Sequence, residues 1–521
     1  MHSAGAMSVT SERPSHGAQS APMYRVTLVP QPAPPVAPAE TSPLPSLDPP
    51  HHPFLSRWCS TMHDDAFSSD VSSQSGATGH DPVARYFEMG AVSGMCPTFV
   101  FDDQGRALTI GFTAAGTDVM LFDPTSLQVL DSVPVPRRKG TALLFLTNPD
   151  AVFQSTAGGA YLFCDNQSRI VVPTASREIW IIAQREQEGA HAFDIEAKLD
   201  LRQNVSSDGI PLGDQLTATL PDWHQDSVYW FTSAKGLVGV VNRDTAKVQT
   251  MALVDPDSGE AEAIENSFSV GPDGAFVVSS HALYRFTIGP DHALSQVWRA
   301  TYDRGETLKP GQLSQGSGTT PTLMGAYVAI GDNASIMNAC VYRRENGVLA
   351  SATPVFTASG SACENSFVGY NGSLVIGNTY GYVSPYATND DQQGGLTRLD
   401  IDPDTGVATV VWSGHDDIQS SATPKLATGT GLVYCYTKQD LDGVSTWCVV
   451  GVDFRTGEKT MVLPVAQPEI QSVPQRHPLL CYDRFDNGWG PITIGLDSWE
   501  RPSTFIGMIE GFLQIADGSD R

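Results

Sequence analysis

Basic residues are scarce in this sequence. Its 521 residues include 31 Lys and Arg against 57 Asp and Glu, which gives a formal net charge of −26 at pH 7. So negative a surface repels phosphate backbones and anionic lipid headgroups. We therefore expect no nucleic-acid partner and no docking on a membrane surface.

Long apolar runs and helical periodicity are also missing. No run approaches the ~18 apolar residues of a membrane-spanning helix, and the first twenty residues contain no apolar core of a signal peptide. We therefore expect no transmembrane segment and, by default, a cytoplasmic location. Apolar residues spaced at i, i+3, i+4 and i+7 are nearly absent, which argues against a helical fold.

The eight cysteines form no recognisable metal or redox motif. None stands in C-x-x-C spacing, so a structural zinc site and a disulfide scaffold are both disfavoured. Cys435 and Cys448 fall on facing strands of one predicted hairpin, where a disulfide and two free thiols remain alternatives. The sequence also lacks the G-x-S-x-G and H-E-x-x-H motifs of common hydrolases.

Glycine and proline are plentiful, with 48 and 36 residues. Pro, Ala, Ser and His dominate residues 1–53, which predicts a disordered or extended N-terminal arm. From there on, apolar segments of a few residues alternate with Gly, Asp, Asn and Pro. This pattern indicates short strands and tight turns, and we expect a single all-β domain over residues 54–521.

A tripeptide that occurs twice reveals a repeat. Glu-Asn-Ser stands at residues 265–267 and again at 364–366, each time before an apolar run, a Gly-bearing turn and a second apolar run. Aligning the chain on these segments gives eight similar units, which start at Pro97, Ala160, Leu216, Glu265, Thr319, Glu364, Ser421 and His477. The spacing of about 45–60 residues is that of propeller blades.

Each unit contains four strand-like pieces, and such a unit cannot bury its apolar face alone. Packed radially, the units bury their faces on one another and close without long free edges. The piece ARYFEMGAV precedes the first full unit, and the last unit lacks a fourth strand. We therefore predict an eight-bladed β-propeller of four-stranded antiparallel blades, in which the N-terminal strand completes the last blade. Seven blades is the alternative if the last unit is irregular.

Part of the repeat resembles a known family. The turn in LDIDPDTGVATVVW, with Asp402, Thr405, Gly406 and Trp412, resembles that of quinoprotein-like, PQQ-repeat β-propellers. WCSTMHDDAFSSD, residues 58–70, is similar to the segment before the first blade of such proteins. The resemblance implies the propeller fold over residues 58–521. Redox members of the family hold their quinone partly through adjacent cysteines, and no Cys-Cys occurs here, so we do not expect PQQ.

The predicted strand order places polar residues around one mouth of the central channel, because the loops that enter the first strands lie on one face. The expected catalytic residues are Glu265, Glu364, His224, Asp222, His281 and Tyr380. The expected substrate-binding residues are Thr319, Trp223, Tyr382, His415 and His477. In this scheme an acid beside His224 would orient its imidazole, and the aromatic residues would line the site or else pack between blades.

The paired Glu-Asn segments are open to three interpretations. Two nearby carboxylates can separate their pKa values and act as general acid and base. The oxygens of Glu265, Asn266, Glu364 and Asn365 could instead bind Ca²⁺. Thirdly, Glu and Asn at a strand start can accept hydrogen bonds from loop amides and hold neighbouring blades together.

The expected function follows from this mouth. We expect a monomeric enzyme that acts on a small organic molecule by acid–base or metal-assisted chemistry, as a hydrolase, lyase or isomerase. A non-catalytic propeller that binds a ligand or protein on the same face is the first alternative. A quinone-dependent oxidoreductase is the second.

Overall fold

Eight short strands, one from each sheet, line a single central channel. The computed structural model describes residues 24–29, 39–45, 51–89, 94–113, 116–138, 158–187, 189–202, 208–289, 293–356, 360–466, 482–497 and 501–518. These residues contain no helix and form eight sheets arranged as an eight-bladed propeller. The blades are antiparallel, and Val71–Ser72 adds a parallel strand beside Lys425–Ala427. Within this part of the chain, no helix has the length and apolar character needed to cross a membrane.

Each blade is numbered along the chain, and its strands are given from the channel outward. The strands of blade 1 are Phe99–Phe101, Ala107–Thr113, Thr117–Phe122 and Val129–Val135, with Gly94–Met95 also paired to the second of them. The strands of blade 2 are Phe163–Cys164, Ile170–Pro173, Glu178–Gln187 and Ala190–Asp200. Those of blade 3 are Leu216–Pro221, Val228–Ser233, Leu237–Asn242 and Val248–Ala252. Those of blade 4 are Ser269–Gly271, Gly274–Val278, Ala282–Ile288 and Leu294–Thr301.

The second half of the ring repeats this plan. The strands of blade 5 are Thr322–Met324, Tyr327–Gly331, Asn338–Arg343 and Leu349–Pro354. Those of blade 6 are Val368–Tyr370, Ser373–Gly377, Leu396–Ile401 and Ala408–Gly414. Those of blade 7 are Lys425–Ala427, Leu432–Leu441, Val444–Asp453 and Lys459–Ala466. Those of blade 8 are Ile492–Leu496, Pro502–Met508, Gly511–Ala516 and Val83–Glu88.

The predicted closure of the ring is confirmed. Val83–Glu88, from the N-terminal side, pairs antiparallel with Gly511–Ala516 and completes blade 8. Arg25–Val29 adds a fifth strand outside Val83–Glu88. This piece of the N-terminal arm is therefore extended, one of the two states expected for the arm, because the edge of blade 8 offers it unpaired backbone groups.

The core is a set of apolar layers between neighbouring blades. Val171 and Ile181 of blade 2, for example, pack in one layer with Leu220 and Trp230 of blade 3. Each blade is sealed against the next in this way, so that no blade has to bury its faces alone. Cys435 and Cys448 are buried free thiols, because they face Val450 and Thr437 across the hairpin rather than each other.

A segment of residues 55–72, here called the channel segment, runs inside the ring. Its backbone carbonyls accept hydrogen bonds from the inner edges of the blades: Cys59 from Phe101, Ser60 from Cys164, Ala66 from Val270, Phe67 from Leu323, Ser69 from Gly369 and Asp70 from Leu426. Inner strands leave one edge unpaired, and the segment satisfies those backbone N–H groups. Blades that are far apart around the ring are thereby joined through the centre.

Glycine at position 511 allows the closing strands to approach. A Cβ atom there would lie 1.7 Å from the backbone oxygen of Phe87. We expect Gly511→Ala to lower the free energy of unfolding by about 1–3 kcal/mol through this overlap. Gly414→Ala is the matched control, because no atom lies within 4 Å of the position that its Cβ would take. Urea denaturation of both variants measures the difference, and equal stability of the two would contradict the closure geometry.

Candidate functional site at the channel mouth

The mouth is the end of the channel at which the inner strands begin. Parallel backbone contacts between Tyr161 and Ala218, and between Thr423 and Pro491, show that neighbouring inner strands run in the same direction. Glu265 and Glu364 precede the inner strands of blades 4 and 6 by the same number of residues. The two glutamates therefore occupy equivalent positions at one end of the channel.

Among the described residues, Glu364 is buried without the regular hydrogen bonds that usually stabilise a buried carboxyl group. Its side chain is 7% exposed and packs against Gly318, where even a Cβ atom would overlap a carboxyl oxygen. Neither carboxyl oxygen has a hydrogen-bond partner of regular geometry among the described residues. Burial raises the pKa of Glu364 well above its ordinary value of 4.5, the charge of Glu265 raises it further, and the nearby backbone amide of Leu313 partly opposes both.

Glu265 is the second carboxyl group of the pair. It is partly buried, and desolvation raises its pKa above the ordinary value. Because its charge acts on Glu364, the two groups cannot both ionise freely, and the pair retains a proton to higher pH than either group would alone. Two coupled carboxyls of unequal burial are the arrangement that general acid–base chemistry uses.

Tyr161 of blade 2 is a member of this site that the sequence analysis missed. Its hydroxyl donates to Oδ1 of Asn266 at 3.0 Å. Burial raises the pKa of Tyr161, and the charges of Glu265 and Glu364 raise it further. Its position just before the inner strand of the second unit was the signal in the sequence.

The two asparagines of the repeated tripeptides form hydrogen bonds to neighbouring parts of the ring. Asn266 accepts from Tyr161 and donates to the backbone oxygen of Gly318 at 2.5 Å. Oδ1 of Asn365 accepts from the hydroxyl of Thr423 at 3.2 Å. Each amide oxygen accepts one hydrogen bond and keeps a second lone pair, so the binding of Ca²⁺ by the four side chains stays a prediction. No group of three or more His, Cys, Asp or Glu side chains in the described ranges is placed to hold one metal ion.

A buried polar cluster lies beneath the mouth and joins the channel segment to the blades. Nζ of Lys425 lies 2.7 Å from Oδ1 of Asp70 and 2.5 Å from Oδ2 of Asp64. Nδ1 of His63 lies 3.2 Å from Asp70 and 2.8 Å from the hydroxyl of Ser366, which also donates to Asp70. Burial opposes ionisation of Asp70, but Lys425 and His63 together hold its pKa below the ordinary value.

The threonine and tyrosines predicted at the mouth lie on its loops. Thr319 is buried, and its hydroxyl accepts from the backbone amide of Gly331 at 3.0 Å. Tyr380 is partly buried, in the loop between the second and third strands of blade 6. Tyr382, in the same loop, is buried and donates to Oδ1 of Asp486 at 2.6 Å. Burial raises the pKa of Asp486 to about 6.

Asp222, Trp223 and His224 lie at the opposite end of the channel, which contradicts their predicted place. They follow the inner strand Leu216–Pro221 and form the turn to the second strand of blade 3. Asp222 accepts from the amide of His224 at 3.1 Å and from the indole of Trp230 at 3.0 Å, so it holds this turn together. His224 lies 2.7 Å from the carbonyl of Pro272 in the corresponding turn of blade 4.

Within the described residues, the polar partners given for His281 and His415 are groups other than the two glutamates. His281 lies in the loop between the second and third strands of blade 4, next to Ser280 at 2.9 Å and Glu260 at 3.6 Å. Nε2 of His415 lies 2.6 Å from the carbonyl of Gly457, between the outer parts of blades 6 and 7 and away from the channel. His477 lies outside the described residues.

The architecture is that of an eight-bladed β-propeller. No family model and no curated protein sequence matches this chain. The solved structure of quinohemoprotein alcohol dehydrogenase ADHIIG from Pseudomonas putida HK5 is similar, with a TM-score of 0.53 at 10% identity, over 89% of this chain and 81% of that chain.

Two further solved structures are similar to this chain at lower TM-scores. BamB from Moraxella catarrhalis matches with a TM-score of 0.37 at 15% identity, over 67% of this chain and 96% of that chain. The computationally designed Ika8 protein matches with a TM-score of 0.46 at 11% identity, over 83% of this chain and 98% of that chain. At these identities the likeness is one of fold alone.

Proposed function

We propose that the protein is an enzyme that transforms a small organic molecule at the channel mouth by general acid–base chemistry. The observation that carries the proposal is the buried carboxyl group of Glu364, which lacks a regular hydrogen-bond partner among the described residues and lies within the electrostatic field of Glu265. A carboxyl group that only held the blades together would accept hydrogen bonds from its surroundings.

In this proposal, the two glutamates divide the roles according to their environments. Glu364, the more deeply buried, has the raised pKa, so it is the group that holds a proton and donates it to a leaving group or a carbonyl oxygen. Glu265, which is more exposed, is the first of the two to ionise and acts as the base. The roles fit a hydrolase, lyase or isomerase, and the acid–base pair itself requires no redox cofactor.

The hydrogen bonds around the pair support this division. Tyr161 and Asn266 bond to each other, and Asn266 also bonds to the backbone beside Glu364. They therefore hold the loop that carries Glu265 against the loop that packs on Glu364. Fixed positions of this kind matter, because acid–base catalysis requires each group within hydrogen-bond reach of the atom it serves.

The proposal is tested by a search for turnover that depends on Glu364. Purified wild-type protein is incubated with esters, lactones, glycosides and an aqueous metabolite extract, and the products are followed by mass spectrometry. We expect at least one compound to be transformed, and Glu364→Gln to slow that reaction by about 10²–10⁴-fold. Glu345→Gln, which alters an exposed residue in a turn of blade 5, should leave it unchanged.

Two results would count against the proposal. A reaction of equal rate in the wild type and Glu364→Gln would remove Glu364 from the chemistry. Retention of a compound without its transformation would favour the non-catalytic binding function instead.

A further inference from the structure

A cavity lined by described residues lies at the other end of the channel. Its volume is about 680 Å³, and its walls include Gly105 of blade 1, Thr428 of blade 7 and Leu496 of blade 8. All three lie at or beyond the ends of their inner strands, so this cavity opens on the face opposite Glu265 and Glu364. The channel segment forms its floor and stands between the two sites.

One wall of the cavity carries an open aromatic ring. Trp58 is 39% exposed and lines the cavity, although neighbouring apolar side chains of the channel segment, such as Leu55, are buried. An indole left partly open at a cavity wall offers its π face to a ligand, and among the aromatic side chains it attracts a cation most strongly.

The carboxylates of the cavity differ in how they are neutralised. Asp64 is paired with Lys425, and Asp497 with Arg501. Asp65 accepts hydrogen bonds from the amide of Phe67 at 2.8 Å and the hydroxyl of Ser69 at 2.5 Å, and has no ion pair within the described ranges. Asp103 accepts from the backbone amide of Arg57 at 2.9 Å.

The balance of charge therefore favours a cation. Once the two paired carboxylates are set aside, Asp65 and Asp103 remain against one guanidinium, that of Arg57, among the lining residues. The net charge of −26 adds a long-range attraction for positive ligands and a repulsion for negative ones.

We propose that this cavity binds a small organic cation, an alkylammonium or quaternary ammonium compound. The indole of Trp58 packs on the cation, and the carboxylates of Asp65 and Asp103 supply the opposite charge. Leu55 and Phe101 in the same walls accept the apolar part of the ligand. The site is separate from the acid–base site and does not depend on it.

The protonation state of Asp65 makes the affinity for the organic cation depend on pH. Burial raises the pKa of Asp65 to about 7, hydrogen bonds from Ser69 partly offset the rise, and the charge of Asp64 adds to it. Deprotonation creates the negative charge that the cation needs, so affinity should increase as the pH rises through about 7. The other titratable groups on the walls are His51, His52, Cys59, Arg57, Asp103 and Asp497, and the pKa of buried His52 is lowered to about 3, which keeps it neutral over this range.

Calorimetric titration of the full chain with tetramethylammonium and butylammonium chloride tests the proposal, with sodium chloride at equal ionic strength, sodium acetate and glucose as comparison solutes. We expect saturable binding of the ammonium ions only. Trp58→Leu and Asp65→Asn should each weaken it about ten-fold or more. Asp257→Asn, which removes an exposed carboxylate after blade 3, should not.

Each other outcome would overturn the proposal. It fails if no ammonium ion binds saturably, if glucose or acetate binds as well, or if Trp58→Leu binds like the wild type. Trp58→Leu alters a half-open ring, so it remains informative even if Asp65→Asn does not fold. Glu364→Gln, on the opposite face, should leave ammonium binding unchanged, so that this test and that of the acid–base site fail independently.

Discussion

Replacing Lys425 with methionine is expected to lower the free energy of unfolding by about 3–5 kcal/mol. The Lys425 side chain is fully buried and lies between Asp64 and Asp70. Its removal leaves two buried carboxylates without their cation, and their mutual repulsion is then unopposed. Urea denaturation at pH 7 measures the loss.

Lys459→Met is the control for this effect. Lys459 is also ion-paired, with Asp417, but both partners are partly exposed to solvent. Solvent screening limits such a pair to about 0–1 kcal/mol. Equal losses in the two variants would show that the channel segment is not held by the buried cluster.

Glu364→Gln is expected to stabilise the protein above neutral pH while it removes activity. At pH 8 a solvent-exposed glutamate is ionised. Folding of the wild type must therefore either keep Glu364 protonated at a cost in free energy or bury its charge, whereas a glutamine requires neither. We expect the free energy of unfolding of the variant to exceed that of the wild type at that pH. A gain in stability combined with a loss of activity is typical of a residue kept for function.

The sign of the pH dependence follows from the raised pKa. The unfolded chain releases this proton near pH 4.5, whereas the folded chain holds it to a higher pH. The contribution of Glu364 is therefore fully present below about pH 4.5 and is lost as the pH rises towards the folded pKa. Asp65 and Asp486 are unchanged in the variant, so the difference between the two stability profiles reports Glu364 together with its coupling to Glu265. Identical profiles would contradict its buried, protonated state.

The ring could be predicted from the sequence because the four strands of each of blades 1–7 are consecutive along the chain. Short apolar runs separated by turn residues specify four adjacent strands, and the repeat spacing specifies the next blade. The equivalence of Glu265 and Glu364 follows from the same alignment. The missing outer strand of the last unit predicted that Val83–Glu88 would close the ring, as it does.

The content of the channel could not be predicted in the same way. Lys425 is a single cation in a short inner strand, and its partners Asp64 and Asp70 come from before the first blade. Nothing local shows that such distant residues meet, since the channel segment has no regular period. Asp222 and His224 were misplaced for a related reason: apolar runs flank PDWHQD on both sides, and the pattern does not say which run is the inner strand.

We propose that Glu265 and Glu364 share a proton equilibrium at the channel mouth. This proposal is tested most directly by a pH titration of protein labelled with ¹³C at the glutamate carboxyl carbon, followed by NMR. We predict one carboxyl signal that titrates well above the ordinary glutamate range, disappears in Glu364→Gln and moves to lower pH in Glu265→Gln. A Glu364 signal that titrates near 4.5 and ignores Glu265→Gln would contradict the claim.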